Sequence, residues 1–287
     1  MRIYLNNRFV SEQRAVVSVF DHGFLYGDGV FETLRAYQGR IFRLDEHLKR
    51  LQVSAHGLEI SIPRTLPVFR RLLHETLLVN HLKNALLRIC ISRGHGPIGL
   101  DPSLCRTPTI AIIPRVFNGY NPRQYHNGLK IAIVSVRRTP RSVLNPQIKS
   151  ANFLNNILAK LQAKRKRADE GLMLDVNGYL TEGSISNVFI VRRGRLYTPT
   201  VDLGILAGIT RRLVIDLARH ADIPVKETRL RVPDLYNADE CFLTNTSMEI
   251  MPVAMANGVR MGNGKPGPIT RLLHEAYQEQ VRLECRI

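Results

Sequence analysis

The sequence lacks the signals that place a chain in a membrane or outside the cell. No apolar run approaches the roughly 18–20 residues that a membrane-spanning helix needs. The N-terminal stretch MRIYLNNRFVSEQ has no apolar segment of the secretory signal-peptide kind. The four cysteines are scattered, with no C-x-x-C pair, which argues against a zinc site or a disulfide framework. These absences predict a protein of the reducing cytoplasm without membrane contact.

Several catalytic and binding motifs are missing as well. The chain has no G-x-S-x-G motif and no P-loop, and its nine histidines show no metal-ligand spacing, so no metal is expected. One G-x-G-x-x-G pattern does occur, at Gly94, Gly96 and Gly99. A dinucleotide site needs a helix to begin there, whereas Pro97 lies within the motif and no helical pattern follows. We interpret this stretch as a loop.

Charge of one sign is abundant, because 41 lysines and arginines against 24 acids give a formal net charge of +17. A basic surface can bind nucleic acid. However, the cations are spread along the chain, and the densest run, residues 164–167, lies at a predicted helix end, where cations complement the helix dipole. No helix-turn-helix or zinc-finger spacing is present. Small anionic substrates are therefore favoured, with nucleic-acid binding as the non-enzymatic alternative.

The chain of 287 residues is long enough for two ordinary domains. Predicted strands and helices mix without a steady βαβ alternation, which favours an α/β fold of the α+β kind. The stretch VFNGYNPRQYHNG is rich in glycine, proline and asparagine and is the best linker candidate. We predict a small N-terminal α/β domain over 1–117, a linker over 118–127 and a larger C-terminal domain over 128–287.

Hydrophobic periodicity locates the main elements. It predicts strands at 1–10 and 16–20, followed by a turn-rich loop at 21–29. Helices are predicted over about 45–58, 65–80, 151–167, 208–220 and 268–283. In the third of these, the apolar positions follow i, i+3, i+4 and i+7: Leu154, Ile157, Leu158 and Leu161.

Lys149 has an unusual setting, because it follows a proline-bearing extended stretch and precedes an apolar helix without joining the charged helix face. A partly desolvated lysine attacks carbonyls. Pyridoxal phosphate uses this chemistry: its aldehyde needs a lysine, its ring nitrogen a carboxylate, and its phosphate an arginine and helix-terminal N–H groups. Glu182, flanked by small residues in LTEGSISNVF, is a candidate carboxylate. Composition alone cannot select such residues.

Six motifs in order carry a resemblance to a known family: YGDGVFETLR (26–35), RLDEHLKRL (43–51), IKSANFLNNILAK (148–160), LTEGSISNVFIV (180–191), GITR (208–211) and FLTNTSMEIMPV (242–253). With these motifs the sequence resembles the class IV aminotransferases, the fold-type IV pyridoxal-phosphate enzymes, over nearly its whole length. That family includes branched-chain and D-amino-acid aminotransferases and aminodeoxychorismate lyase. The resemblance implies a two-domain fold, bound pyridoxal 5'-phosphate and a homodimer, with the site near the domain junction.

The resemblance also implies residue roles. Lys149 matches the lysine that bonds to the cofactor aldehyde and moves the substrate α-proton. Glu182 matches the carboxylate at the ring nitrogen, and Arg50 matches the phosphate-binding arginine. Further cofactor contacts are implied for Ser186, Asn187, Gly208, Ile209, Thr210 and Thr246. Substrate-binding positions are implied for Tyr26, Phe31, Arg35, Arg88 and Ser247.

The subgroup is less sharply indicated. Arg88 and the GLDP loop resemble branched-chain enzymes, whereas Thr33 and Asn245 resemble aminodeoxychorismate lyase. Phe153 stands where branched-chain enzymes usually carry a tyrosine, and the Arg-x-His trap of D-amino-acid enzymes is absent. The leading hypothesis is an aminotransferase acting on branched-chain L-amino acids and 2-oxoglutarate. The lyase is the first alternative and D-amino-acid transamination the second.

Overall fold

The computed structural model describes residues 1–287, which form two compact units. The first comprises Met1–Asn118, Ile148–Asn152 and Val281–Ile287, and the second comprises Gly119–Gln147 and Phe153–Gln280. Both contain helices and a sheet, so the predicted α/β class is confirmed. The division at 118–127 stays a prediction; within that span the chain forms a short helix over Pro122–Asn127.

The first unit contains one antiparallel sheet of six strands in the order β2-β1-β6-β5-β3-β4. The strands are β1 (Arg2–Leu5), β2 (Arg8–Ser11), β3 (Gly29–Tyr37), β4 (Arg40–Ile41), β5 (Ala85–Ser92) and β6 (Thr109–Val116). The helices are α1 (His22–Tyr26), α2 (Leu44–His56) and α3 (Leu66–Val79). The core forms where α2 and α3 bury their apolar faces against the sheet, with Leu34, Leu51 and Leu73 among the fully buried side chains.

The second unit contains a mixed sheet of nine strands. The strands are β7 (Leu129–Arg137), β8 (Glu170–Leu174), β9 (Leu180–Gly183), β10 (Asn187–Arg192), β11 (Arg195–Pro199), β12 (Val225–Thr228), β13 (Glu240–Asn245), β14 (Glu249–Ala256) and β15 (Val259–Arg260). The pairings β10-β13-β14-β7-β8-β9 return to β10, so six strands form a closed circuit. The helices are α4 (Pro122–Asn127), α5 (Leu154–Arg165), α6 (Ile209–His220), α7 (Val232–Tyr236) and α8 (Pro268–Cys285).

Two local predictions near the N-terminus are wrong. The strand expected at 16–20 is absent, because the segment finds no partner strand and leaves Val16, Val17 and Val19 exposed. The loop expected at 21–29 contains α1, whose first turn is capped by the Asp21 carboxylate accepting a hydrogen bond from the Gly23 N–H at 2.8 Å.

Helix α5 is present, but its burial is the reverse of what the apolar spacing suggests. The four periodic positions are exposed: Leu154, Ile157, Leu158 and Leu161. The buried face instead carries Ala159 and Ala163, and the buried cluster there joins Ala159 to Val134 and Met173. A Cβ at Gly171 would lie 2.7 Å from the Ala159 carbonyl oxygen, so α5 approaches β8 closely. Small residues face the sheet because the backbones nearly touch there, and the larger side chains point outward.

The described chain contains no helix long and apolar enough to cross a membrane. All four cysteines carry free thiols, and burial raises the pKa of Cys285 to about 11. The stretch around Gly94, Gly96 and Gly99 leads into a loop and a single 3-10 turn at Pro102–Leu104, so the interpretation of this glycine pattern as a loop is confirmed.

Candidate active site

Lys149 lies in a short extended segment hydrogen-bonded alongside the start of β3. The Phe31 N–H donates to the Lys149 carbonyl at 3.0 Å, and the Ala151 N–H donates to the Gly29 carbonyl at 2.8 Å. The Lys149 N–H in turn donates to Ser54 Oγ on α2 at 3.1 Å. The backbone of Lys149 is therefore fixed from two sides, as a reactive side chain on a loop requires.

The Lys149 ammonium and the Arg88 guanidinium both lie close to the Phe31 ring. Lys149 Nζ lies 4.5 Å from the centre of the Phe31 ring, and Arg88 Cζ lies 3.9 Å from the same centre. Arg88 is opposite Thr33 in the β3–β5 pair, and residues 31 and 33 point to one face of the strand. The structure thus brings together three of the predicted residues, with Arg88 exposed.

A buried ion cluster lies on the other face of β3. Arg50 donates through Nε to Glu32 Oε1 at 2.6 Å and through Nη2 to Glu32 Oε2 at 3.0 Å. The His47 ring nitrogen Nδ1 lies 2.8 Å from Glu32 Oε2. His47, Arg50 and Ser54 are spaced by three and four residues on α2, so they share one helix face. Glu32 holds Arg50 in a bidentate grip and fixes its guanidinium plane.

The electrostatics of this cluster favour one charge pattern. Burial tends to raise the pKa of Glu32, but Arg50 and His47 outweigh it and hold the pKa at about 2. Burial lowers the pKa of His47; the charges of Arg50 and Lys149 lower it further, and Glu32 opposes them. Glu32 is therefore a permanent anion at neutral pH, and His47 is held towards its neutral form.

Glu182 lies on β9 in the second unit and is almost completely buried. Its Oε1 accepts a hydrogen bond from Arg138 Nε at 2.8 Å. Its Oε2 accepts from the Leu206 N–H at 3.0 Å and from Asn187 Nδ2 at 3.4 Å. These three donors hold the Glu182 carboxylate in place.

Asn187 connects Glu182 to the start of α6. Besides its contact with Glu182, Asn187 Nδ2 donates to the Leu206 carbonyl at 3.0 Å. A Cβ at Gly208 would clash with Asn187 Oδ1, so a larger residue there would displace the Asn187 side chain. Helix α6 begins at Ile209 with no side-chain cap, which leaves the N–H groups of its first turn, including that of Thr210, for another acceptor. Such a helix start suits a phosphate.

The predicted contacts Thr246 and Ser247 lie in the turn between β13 and β14. Asn245 Oδ1 organises this turn by accepting from Ser247 N at 2.9 Å, Ser247 Oγ at 3.0 Å and Met248 N at 2.8 Å. Asn245 Nδ2 also donates to the Ile185 carbonyl at 3.0 Å, which ties the turn to the loop that carries Ser186. The second unit therefore gathers its predicted site residues around two adjacent turns and one helix start.

Two buried hydroxyls near this group have no hydrogen-bond partner. They are Ser186 Oγ and Thr244 Oγ1. Thr244 lies directly opposite Asn187 in the β10–β13 pair, and Asn187 follows Ser186 in the chain. Buried polar atoms are seldom left without a partner. Two orphaned donors beside a helix start indicate a place where a polar group binds.

Tyr26 and Arg35 are placed differently from the other predicted substrate residues. The Tyr26 hydroxyl accepts a hydrogen bond from the Gly99 N–H at 3.0 Å, so it anchors the glycine-containing loop. The Arg35 guanidinium stacks on Tyr37 and Phe117, at 4.3 and 5.1 Å from the ring centres. Arg35 is four residues from Phe31, or roughly 13 Å along an extended strand. These contacts hold both side chains in place.

The sequence analysis missed several residues that hold the site together: Glu32, His47, Ser54, Arg138 and Gln147. Gln147 donates to the Ile205 carbonyl at 2.7 Å and accepts from the Ala207 N–H at 3.2 Å, which fixes the segment before Gly208. The i, i+3, i+7 spacing of residues 47, 50 and 54 was a usable signal for the α2 face. No local pattern marks Arg138, whose partner is 44 positions away.

A family model decides the assignment. The model described as Amino-transferase class IV matches residues 29–256 of the chain. The chain belongs to the class IV aminotransferases. It is thus a member of a family of pyridoxal-phosphate-dependent transaminases, as the resemblance implied.

Curated relatives of this class IV aminotransferase carry three different names. A Methanocaldococcus jannaschii protein named "Putative branched-chain-amino-acid aminotransferase" is 48% identical over 279 residues, covering 97% of this chain and 96% of the relative. The D-alanine aminotransferase of Listeria monocytogenes is 36% identical, with 99% and 98% covered. The aminodeoxychorismate lyase of Bacillus subtilis is also 36% identical, with 98% and 94% covered.

Solved structures give the same family and the same fold. The Escherichia coli branched-chain amino acid aminotransferase has a TM-score of 0.94 at 31% identity, with 97% of this chain and 93% of that chain covered. The Thermoproteus uzoniensis branched-chain aminotransferase with norvaline has a TM-score of 0.91 at 35% identity, with 100% and 95% covered. A further branched-chain amino acid aminotransferase, solved with pyridoxamine 5'-phosphate, has a TM-score of 0.93 at 33% identity, with 97% and 93% covered. The predicted fold-type IV architecture is therefore confirmed.

The class IV aminotransferase has a donor set that fits pyridoxal phosphate. The uncapped start of α6 and the orphaned hydroxyls of Ser186 and Thr244 suit a phosphate or phenolate oxygen. The fixed, buried carboxylate of Glu182 is the chemical group that a protonated ring nitrogen requires. Lys149 supplies the amine that an aldehyde requires.

Proposed function

We propose that this class IV aminotransferase moves an amino group between branched-chain L-amino acids and 2-oxoglutarate, with pyridoxal 5'-phosphate as cofactor. The observation that carries the proposal is the pairing of Lys149 and Arg88 on the Phe31 ring, at 4.5 and 3.9 Å from its centre. One cation is the reactive amine, and the other can bind a carboxylate. The ring between them gives an apolar surface for an aliphatic side chain.

Arg88 favours a dicarboxylate as the second substrate. A 2-oxo acid with a distal carboxylate needs a cation for that group, and a guanidinium binds carboxylates bidentately. Arg88 is exposed, and the Phe31 ring sets its position through a cation–π contact. The names of the Methanocaldococcus jannaschii relative and of the solved structures support the branched-chain assignment.

Cofactor contacts are proposed on each of the two units. Arg50 binds the phosphate, together with the N–H groups of Ile209 and Thr210 after Gly208 and the Thr246 hydroxyl. Glu182 accepts the ring N–H, and Asn187 and Ser186 line the ring. When bound, the cofactor supplies an electron sink that stabilises charge at the substrate α-carbon. Tyr26, Phe31, Arg35, Arg88 and Ser247 are the proposed substrate-binding residues.

Lys149 is the proposed catalytic residue. Its Nζ would hold the cofactor through the aldehyde, and the same amine would accept the substrate α-proton and return it. The double anchoring of its backbone by Phe31 and Ser54 keeps the amine in one place through both proton transfers. The Phe31 ring covers Nζ on one side and limits the approach of water.

The experiment is substrate profiling of the purified yellow protein. L-Leucine or L-valine without keto acid should lower the absorption near ~410–420 nm and raise it near ~330 nm, as the amino group passes to the cofactor. Adding 2-oxoglutarate should restore the yellow form and produce L-glutamate. Arg88→Ala should raise the KM for 2-oxoglutarate more than that for L-leucine. An unchanged spectrum with both branched-chain amino acids contradicts the proposal.

Aminodeoxychorismate lyase is the second candidate, because Thr33 and Asn245 match it and Phe153 lacks the hydroxyl usual in branched-chain enzymes. The Bacillus subtilis relative supports this alternative. It predicts release of pyruvate and 4-aminobenzoate from aminodeoxychorismate with no keto acid added. D-Alanine is the third substrate to test, since the Listeria monocytogenes relative is named for it.

We propose a homodimer in the cytoplasm as the working form. The exposed apolar side chains of α5, at Leu154, Ile157, Leu158 and Leu161, form a surface that a second copy would cover. Sedimentation of the purified protein tests this proposal, and a monomer at micromolar concentration contradicts it.

A further inference from the structure

A cavity in the second unit is lined by residues other than those proposed for catalysis. Its volume is about 370 Å³, which is within the usual range for small-molecule sites. It is lined by Tyr125, His126, Pro252, Lys265, Pro266, Thr270, Arg271 and His274. None of these residues belongs to the proposed cofactor or substrate set.

The lining of this cavity is rich in cationic groups. Four of the lining residues carry basic side chains, namely His126, Lys265, Arg271 and His274. No carboxylate lines the cavity. Two acids lie near the cavity: Glu249 contacts the lining residue His274 at Nε2, 3.0 Å away, and Glu240 caps α8 by accepting from the N–H groups of Ile269 and Thr270. The wall therefore carries Lys265, Arg271 and His126 with no carboxylate among the lining residues, whereas His274 is paired with Glu249.

Apolar and planar groups complete the cavity. The Tyr125 and His274 rings stack at 4.8 Å between centres and 12° between planes. The pyrrolidine rings of Pro252 and Pro266 add apolar wall. Arg271 is held beside them because its Nη1 donates to the Pro266 carbonyl at 2.6 Å. An aromatic stack and proline rings beside fixed cations suit a ligand with one charged end and one flat apolar end.

The wall of the cavity is fixed by contacts to the neighbouring strand. The Tyr125 hydroxyl donates to the Met248 carbonyl at 3.3 Å, and His274 contacts Glu249, the first residue of β14. Glu249 is buried and has a positive φ of 55°. A non-glycine residue in this conformation is uncommon and needs support from its surroundings. The cavity wall is therefore tied to Met248 and Glu249, the two residues that directly follow Thr246 and Ser247 in the chain.

We infer that this cavity is a binding site for a small organic oxyanion, a molecule with a phosphate or carboxylate attached to a flat apolar group. The oxyanion binds between Lys265, Arg271 and His126, and the apolar part lies against Tyr125 and the two prolines. The site is separate from the transaminase chemistry and stands whether or not the proposed substrates are correct.

The test uses phenyl phosphate as the probe, because it is mostly dianionic above pH 7 and carries one flat ring. The holoenzyme, with its own phosphate site filled, is labelled with ¹³C and ¹⁵N at histidine and titrated at pH 7.5. The His126 and His274 signals are identified from His126→Gln and His274→Gln. We expect saturable shifts of both signals. Inorganic phosphate and phenol should each bind at least 10-fold more weakly than phenyl phosphate.

Matched charge reversals provide the control. Lys265→Glu with Arg271→Glu should weaken binding at least 10-fold, whereas Arg195→Glu with Lys226→Glu, the same charge change at exposed positions of β11 and β12, should not. If the first pair fails to fold by circular dichroism, Lys265→Gln and Arg271→Gln replace it. Equal weakening by both pairs, no saturable shift up to about 10 mM probe, or equal binding of inorganic phosphate each overturns the inference.

Discussion

Two buried carboxylates, Glu32 in the first unit and Glu182 in the second, are each bound by the Nε of an arginine, at 2.6 and 2.8 Å. Their remaining partners differ. Both oxygens of Glu32 face cationic or titratable side chains, namely Arg50 twice and His47 once. Only one oxygen of Glu182 faces a cation, and the other is held by the neutral donors Leu206 N–H and Asn187 Nδ2.

The two carboxylates therefore differ in their expected tasks: Glu32 positions another side chain, whereas Glu182 is proposed to contact the cofactor. Both oxygens of the Glu32 carboxylate accept from the same guanidinium, so this acid positions Arg50 and neutralises its charge. The Glu182 carboxylate is paired with a cation at one oxygen and held by neutral donors at the other, and we propose that it also accepts the ring N–H of the cofactor. Replacing each acid should therefore break a different property of the enzyme.

The largest effect on activity is expected for replacement of Lys149 in the first unit. Lys149→Ala should abolish turnover and remove the borohydride-stable bond between cofactor and chain, because it deletes the amine held beside Phe31. Lys160→Ala, an exposed lysine on α5, is the matched control and should retain both. Mass spectrometry after borohydride treatment measures the bond. A Lys149→Ala protein that keeps the bond and normal turnover assigns the chemistry to another lysine.

The main effect of Glu32→Gln should be a loss of stability. The substitution replaces the buried anion between Arg50 and His47 with a neutral amide and leaves a partly buried guanidinium without this counter-charge, which costs up to about 3–5 kcal/mol in the free energy of unfolding. Urea unfolding of the apoenzyme measures it. Glu46→Gln on α2, which disturbs a partly exposed pair with Arg43, should cost at most about 1 kcal/mol. Equal losses of unfolding free energy in the two variants would contradict a larger contribution from the buried cluster.

Glu182→Gln should affect rate more than stability. The amide oxygen can still accept from Arg138, but a neutral side chain holds the cofactor ring nitrogen in its charged form poorly, so the electron sink weakens. We expect kcat to fall on the order of 10²-fold, with the stability loss smaller than that of Glu32→Gln. Glu182→Asp, which keeps the charge, should recover part of the rate. A variant with unchanged kcat places the ring nitrogen elsewhere.

Arg50→Ala should weaken cofactor retention, because it removes a charge-assisted phosphate contact worth roughly 1.5–3 kcal/mol, or about 10- to 150-fold in the dissociation constant. Equilibrium dialysis of the cofactor measures this change. Since the substitution also leaves Glu32 without its main partner, Arg50→Lys separates the two causes: it keeps a cation near Glu32 but loses the bidentate grip. Retention unchanged in both variants would exclude Arg50 from the phosphate site.

The smallest effect concerns pH. Burial lowers the pKa of His47 below 6.5, so the unfolded chain binds a proton there that the folded chain resists. The contribution of His47 to the free energy of unfolding therefore falls as the pH drops below about 6.5, by at most about 1.4 kcal/mol per pH unit. Glu32, whose pKa is about 2, stays charged throughout the range of about pH 5.5–7.5. The loss of stability between pH 7.5 and 5.5 should be smaller in His47→Gln than in the parent, and parallel curves contradict this.

The sequence was most informative where a motif or a hydrophobic periodicity is compatible with only one local structure. The helices at Leu66–Val79 and Ile209–His220 lie within one residue of the predicted bounds. Lys149, Arg50 and Glu182 could be named because each stands in a characteristic local motif. Their roles stay predictions until the variants above are measured.

Long-range partners could not be predicted. Arg138 reaches Glu182 across 44 positions, and Glu32 reaches Arg50 across 18, so no local window contains both members of either pair. The buried face of α5 could not be predicted for a related reason. Periodicity shows that a helix has an apolar side, but Gly171 decides which side meets the sheet, by letting Ala159 approach the β8 backbone.

The closed circuit of strands has a consequence for local opening. Strand β9, only four residues long, pairs with β8 on one side and with β10 on the other. A short strand at an open edge would fray and exchange its amide hydrogens quickly. Because β9 is bounded on both sides, its amides should exchange only when the whole circuit opens, at close to the global free energy of unfolding. The backbone that carries Glu182 therefore belongs to the slowest-exchanging part of the molecule.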